Sequence, residues 1–146
     1  MPAFASERSI RVLGELDERL QAVCNKAIRR IDFSLISGLR TTQEQQALYA
    51  ATPRTTQIDG VIKRSRHQAG VNGKAGAFDF IPAPWSTTVG WYDRPVFTAY
   101  AHYFIGIGDS LGIPIRWGGD WNGDFRWKDQ TFHDFPHIEL IDWPQG

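Results

Sequence analysis

Cysteine is almost absent from this chain: the single Cys24 excludes an internal disulfide framework, so the fold has to be held by its core. Net charge is absent too. Sixteen Lys and Arg balance sixteen Asp and Glu, which removes the basic footprint expected of a nucleic-acid partner or an anionic membrane surface. No apolar run approaches the roughly 20 residues of a spanning helix, so membrane insertion is not expected. The N-terminus MPAFASERSIRV lacks a basic stretch followed by a long apolar one, and no cleaved secretion signal is expected. If the substrate lies outside the cytoplasm, something else must release the protein. Internal repeats and low-complexity segments are also missing.

What is present suffices for one domain. With 146 residues, 42% apolar and 13% aromatic, the chain can bury roughly two thirds of its unfolded surface, which excludes intrinsic disorder. A single domain over residues 1–146 is therefore expected, and a monomer is the default state for it.

The strongest periodic pattern is Ile10, Leu13, Leu16, Leu20, Val23, Ala27 and Ile31, spaced by threes and fours. It predicts one long amphipathic helix from about Ser6 to Arg30, with Ser6 as N-cap and Glu7 at the positive end of the dipole. Cys24 lies on its apolar stripe and reads as a small buried hydrophobe. Phe33 to Ser37 reads as a strand bounded by Gly38, and Thr41 or Thr42 caps a second helix from Gln43 to Ala51, stopped by Pro53. Pro53 to Gly76 is polar and without period, a loop long enough to suggest function. Ala77 to Ile81 reads as a strand, Pro95 to Leu111 as a helix, and Ile113 to Trp117 and Pro136 to Ile141 as short strands. Helices and strands mix without regular alternation, so the class is α+β, a small antiparallel sheet flanked by helices.

The chemistry concentrates in two places: Ser65-Arg66-His67, which opens a polar loop ending at Phe78-Asp79, and Asp134-Phe135-Pro136-His137-Ile138-Glu139 near the C-terminus. Two neutral imidazoles and a carboxylate from distant segments can hold a zinc ion and leave its fourth position to water. A bare triple of these common residues more often has structural roles. A rival reading takes His133 and His137, four apart, as a helical zinc motif. It needs an unbroken helix, and Pro136 disfavours one.

Five segments in order strengthen the first reading: Ser37-Gly38-Leu39-Arg40-Thr41 with Gln45 and Tyr49; Ser65-Arg66-His67; Ala77-Phe78-Asp79; Trp117-Gly118-Gly119-Asp120-Trp121; and Asp134-Phe135-Pro136-His137-Ile138-Glu139. Together they resemble the family of zinc D-alanyl-D-alanine carboxypeptidases and phage L-alanyl-D-glutamate endopeptidases, which share a fold with the hedgehog signalling domain. The resemblance spans about residues 33 to 141. It implies a hedgehog/DD-peptidase-like fold, one zinc ion held by His67, Asp79 and His137, and Asp134 as the catalytic carboxylate. It also places Arg40 at the substrate cleft. The family's common interval between first histidine and aspartate is seven residues; here it is twelve, with Gln68 to Gly76 as the added loop.

Physical roles can be set beside the resemblance. Arg40 offers a fork of donors suited to a substrate carboxylate or a developing oxyanion, or alternatively a surface pairing with Glu44. Gln45 reads as a contact to the substrate or to a residue that binds it, or as a helix-surface residue, and Ser65 as a substrate contact or a local cap. Glu139 could orient a ligand from behind, and His133 could tune Asp134 or be a loop histidine. Trp117, Trp121 and Trp127 suit a cleft wall or the core, and Trp85 to Tyr92 would shape specificity.

The expected function is a zinc-dependent peptidoglycan peptidase, a phage endolysin cutting the L-alanyl-D-glutamate bond of stem peptides. It would accumulate in the host cytoplasm and reach the wall after holin-type release. The alternatives are a D-alanyl-D-alanine carboxypeptidase or dipeptidase, and a non-catalytic zinc-containing wall-binding or virion module.

Overall fold

A computed structural model of the chain describes residues 4, 6–51, 56, 58–83, 90, 93–126, 128 and 132–143. Its elements run α1 (Glu7–Glu15), α2 (Glu18–Ala27), β1 (Phe33–Ser37), α3 (Thr42–Ala50), β2 (Ala77–Pro82), α4 (Arg94–Leu111), β3 (Ile115–Gly118) and β4 (Asp134–Leu140). The four strands form one antiparallel sheet in the order β1-β2-β4-β3. This is the small helix-flanked α+β sheet expected. No helix among the described residues is long and apolar enough to cross a membrane.

The period of two along each strand separates core from chemistry. Phe33 and Leu35, Phe78 and Phe80, Ile115 and Trp117, Ile138 and Leu140 all turn to one face, where they pack with Phe97, Ala101 and Phe104 of α4 and with α2. Phe80 and Phe104 meet edge to face at 5.0 Å, the arrangement that aromatic quadrupoles favour. The alternate residues Asp79, Arg116, His137 and Glu139 stand on the other face. Cys24 is fully buried, and burial pushes its thiol well above the ordinary range, so it is inert packing.

The predicted helix over Ser6 to Arg30 is two helices. Leu16 takes an extended conformation, and Asp17 caps α2 by accepting from the Arg19 N–H. The break is made from outside. The hairpin within 68–76 pairs Ala75 with Leu16, its N–H bonding Glu15 O and its carbonyl accepting from Asp17, while Asn72 bonds the Asp17 carboxylate. The added loop is thus a docking element for the α1–α2 junction. Trp143 seals it, lying so close to Gly70 and Gly76 that a Cβ at either would fall inside the indole.

The phase of α1 also differs from the apolar stripe. Ile10 is exposed, whereas Ser9 and Val12 are buried. β1 is an edge strand, and α1 lies along it: the Ser9 hydroxyl accepts from the Leu35 N–H and Arg8 donates to Ile36 O. The polar face of α1 covers backbone that would otherwise be an unpaired edge.

Candidate active site

Each residue of the site is delivered by a different constraint. Asp79 and His137 are cross-strand partners in the β2–β4 pairing, so their side chains leave the sheet side by side. His67 arrives from the loop before β2 and is fixed three ways. Its N–H donates to Ser65 Oγ, its carbonyl accepts from the Arg40 N–H at 2.7 Å, and its ring Nδ1 lies 2.8 Å from the carbonyl oxygen of Gly38.

These contacts bring three ligand-type atoms together. His67 Nε2 is 3.2 Å from His137 Nδ1, and Asp79 Oδ1 is 3.4 Å from each nitrogen. The outer ring nitrogens determine the protonation. His67 Nδ1 faces a carbonyl and His137 Nε2 faces a Glu139 carboxylate oxygen at 2.7 Å, so each must donate. The inner nitrogens of the neutral rings are then lone pairs, converging on a buried carboxylate oxygen that has no hydrogen-bond donor of its own. Three acceptors without a donor call for a cation. A tetrahedral ion with bonds of about 2.0–2.1 Å sets its ligands about 3.3–3.4 Å apart, matching the observed separations. His67, Asp79 and His137 therefore form a group that could hold a metal ion.

Electrostatics agree. Burial alone would raise the Asp79 carboxyl, but when no ion is bound, positive charge and ring protons on the two imidazoles outweigh it and hold it well below the usual carboxylate range. Burial likewise opposes charge on His137, yet Asp79 and Glu139 lift it to about 10. The pocket demands positive charge, which a proton gives to one atom and a metal ion to all three. Glu139 is held down to about 2 against its burial, chiefly by the His137 hydrogen bond, with Arg66 and Arg116 adding to it.

Asp134 reaches the same place by an irregular pairing. Trp117 pairs with Ile138 but the next β3 residue, Gly118, pairs with Asp134, so residues 135–137 of β4 bulge out. Pro136 sits in this bulge, where a proline costs no ladder bond. The Trp117 indole donates to Phe135 O and pins it. Asp134 Oδ2 thereby lies 3.9 Å from His137 Nδ1, on the side an alternating strand would deny it. Its carboxyl is raised, first by burial and then by the neighbouring Asp79 charge. The 133–137 helical motif is excluded, since Asp134 to Leu140 is strand.

A cavity of about 450 Å³ opens over this group, lined among others by Arg40, Ser65, Arg116, Trp121 and Asp134. Arg40 is half-buried and steadied by Gln45 Oε1, which accepts from Nη1 at 2.6 Å. Gln45 thus supports the arginine from behind, one of the roles read from the sequence, and is neither on the helix surface nor open to substrate. It is fully buried, and its amide nitrogen bonds Thr56 Oγ1 and Ile58 O, tying α3 to the loop. Arg40 feels the charges of Asp79 and Asp134 more than that of Glu44, whose side chain closes the α3 capping box instead. Ser65 holds the His67 backbone, which is the cap reading. His133 packs on Phe135 at 5.7 Å and is not among the cavity's lining residues. Trp117 belongs to the core and Trp121 to the cleft wall; Trp127 and most of Trp85 to Tyr92 lie outside the described residues. The sequence reading missed Gln68, fully buried between Ser65 N, Thr42 and Gly60, and it missed Arg116. Only Arg116 left a signal, by alternating with Ile115 and Trp117.

A paired-histidine, single-aspartate cation pocket with a free carboxylate and an arginine beside it is the equipment of a metal-dependent hydrolase. Comparison with known proteins narrows the class. A model of the phage L-alanyl-D-glutamate peptidase family matches residues 1–141, and the chain belongs to that family. It is 29% identical over 140 residues to the L-alanyl-D-glutamate peptidase of Escherichia phage T5, covering 92% of this chain and 96% of that protein. The crystal structure of the Serratia marcescens L-Ala D-Glu endopeptidase ChiX is similar with a TM-score of 0.67 at 26% identity, covering 93% of this chain and 88% of that one.

Proposed function

We propose that the protein is a zinc-dependent peptidoglycan peptidase, an endolysin that hydrolyses the L-alanyl-D-glutamate bond of stem peptides. The observation that carries the reading is the convergence of three buried acceptor atoms without a donor, at tetrahedral spacing, beside Asp134. The names of the T5 and Serratia relatives support the bond. His67, Asp79 and His137 would hold one zinc ion. When bound, zinc supplies Lewis-acid polarisation of the scissile carbonyl and lowers the pKa of a water towards about 7.

The chain's own residues do the rest. Asp134 takes the proton of the attacking water and passes it to the leaving amine of D-glutamate, so that hydroxyl ends on the alanyl carbonyl and hydrogen on nitrogen. Its raised pKa suits a group that must both accept and release a proton. Arg40, held by Gln45, faces the charge that develops on the carbonyl oxygen. Glu139 fixes the His137 tautomer, as Gly38 O fixes that of His67. Ser65 keeps the His67 backbone in register. The protein works as a single domain over residues 1–146 and as a monomer. The phage origin of the T5 relative supports a lytic role, with accumulation in the host cytoplasm and holin-type release to the wall.

Digestion of purified peptidoglycan, with and without zinc after chelation, tests this by mass spectrometry of the products. Zinc-dependent appearance of free amino groups on D-glutamate supports it. Release of D-alanine selects a carboxypeptidase, and no cleavage by folded, zinc-loaded protein leaves a wall-binding module. Asp134→Asn is expected to keep zinc and lose about 10²–10⁴-fold in turnover. His67→Ala and His137→Ala should lose the metal, and full zinc occupancy in either overturns the ligand set.

A further inference from the structure

Arg116 stands on β3, and the segment carrying Arg40 follows β1, so the sheet order β1-β2-β4-β3 sets the two arginines on opposite flanks of the His67, Asp79 and His137 group. With strands about 4.8 Å apart, the outer strands are separated by about 14 Å. The side chain of Arg116 leaves the site face opposite Glu139, its cross-strand partner, and lines the same cavity as Arg40.

Its guanidinium is held at one corner only. Nε donates to Glu139 Oε2 at 2.7 Å, while among the described residues neither Nη nitrogen has a partner, and the side chain is 31% exposed. The neighbouring Arg66 differs. It also meets Glu139, at 3.3 Å, but Nε donates to Leu140 O and Nη2 to Ile141 O, so the backbone engages its donors. Lys63 lines the cavity from a loop as a single ammonium on a long stem, without a planar pair of donors. Among the described residues of the cavity, Arg116 alone combines a rigid strand, an anchored plane and an unused fork. Two hydrogen bonds of 2.7 Å through Glu139 keep its Nε within about 10 Å of His137 Nδ1.

We propose that Arg116 binds the α-carboxylate of the D-glutamate residue on the leaving side of the scissile bond, making the enzyme selective for stem peptides in which that carboxylate is free rather than amidated. The proposal rests on the function proposed above. In a γ-linked stem the α-carboxylate carbon is two bonds from the scissile nitrogen. It must therefore sit beside the metal group, where a fork of two parallel donors on one flank can take it while Arg40 faces the carbonyl oxygen from the other. An amide at the same position replaces one acceptor by a donor and removes the charge, leaving Arg116 unmatched.

The test uses two soluble stem peptides, identical but for a free or amidated α-carboxyl on D-glutamate, and the zinc-loaded full chain. Wild type is expected to prefer the acid by tenfold or more in kcat/KM, chiefly through KM. Arg116→Gln should bring the acid down to the amide's level, so that the ratio falls to about one, and Arg116→Lys should keep part of the preference. If Arg116 serves only to hold Glu139, both substrates weaken together and the ratio survives in Arg116→Gln, which overturns the proposal. Equal cleavage of both by wild type overturns it as well. Should wild type cleave neither, the peptidase reading fails. Calorimetric binding of γ-linked D-glutamyl dipeptide and its α-amide then decides Arg116 separately: an acid preference abolished in Arg116→Gln supports it, and no preference overturns it.

Discussion

Replacing Gly118 by alanine probes how Asp134 is placed without touching Asp134. A Cβ at Gly118 would lie 2.2 Å from the carbonyl oxygen of Asp134 and 2.9 Å from its Cβ. Carbon and oxygen rest no closer than about 3.3 Å even in favourable Cα–H contacts, so the Asp134 backbone must retreat by roughly 1 Å. The obstacle is main chain, and no rotamer change relieves it. A misplacement of this size at a catalytic group costs on the order of 10²-fold, or about 2.7 kcal/mol in the barrier. The metal group should be spared. His67 and Asp79 belong to other segments, and His137 is tied down by Glu139. Gly118→Ala is therefore expected to bind zinc within about threefold of wild type, to lose about 1–3 kcal/mol of stability from overpacking, and to drop about 100-fold in kcat on a stem peptide. The assay is steady-state cleavage, with metal analysis and thermal unfolding of the same sample. Activity within threefold of wild type in a folded, zinc-loaded variant would refute the placement of Asp134. Loss of zinc together with activity would refute the separation of its positioning from the metal group.

Other outcomes follow from the same contacts. Glu139→Gln keeps the shape but removes the charge behind His137, and competition with a chelator should show zinc affinity lowered 10–100-fold. In metal-free protein, Glu139 has a folded pKa of about 2 against an unfolded value near 4.5. A depressed carboxylate stabilises above the unfolded value, and that contribution, on the order of 3 kcal/mol, disappears as pH falls from about 4.5 to 2. Urea unfolding across that window should show a loss that Glu139→Gln flattens; equal slopes would count against it. Gly106 sits exposed inside α4, and a methyl group added there would meet nothing within 4 Å, so Gly106→Ala should raise stability by about 0.5–1 kcal/mol and leave cleavage unchanged.

Local rules made much of the fold legible. β1 was readable from five residues closed by glycine, α3 from a threonine cap and the Pro53 stop, and α4 from its period after Pro95; the structure adds that Glu44 completes a capping box with Thr41 and that Gly112 ends α4 in the left-handed conformation. The long first helix failed because its apolar stripe runs unbroken through Leu16. The break comes from the docking of Ala75, 59 residues away in sequence, a tertiary bond that no local pattern carries. Ile10 misled for a related reason: the polar Ser9 is the buried residue, since its hydroxyl serves the edge of β1. The burial of Gln45 and the whole role of Gln68 were illegible because a glutamine is buried only where partners for every donor and acceptor are brought to it.

Residue type and short-range spacing were enough to define the class and the parts. Composition excludes disulfides and leaves one core, the periodicities give a small helix-flanked sheet, and the ordered motifs name His67, Asp79, His137, Asp134 and Arg40. These are local properties, which the chain carries whether or not it is folded. Geometry came from packing. Cross-strand register set Asp79 beside His137, the carbonyl of Gly38 and the carboxylate of Glu139 chose which ring nitrogens face inward, and a three-residue bulge against Gly118 swung Asp134 to the same side. Packing also gave Arg116 an unused fork on the far flank. Distances of 3.2–3.4 Å between atoms of residues 12 to 70 positions apart depend on how strands pair and loops dock, and those are cooperative outcomes of the whole core.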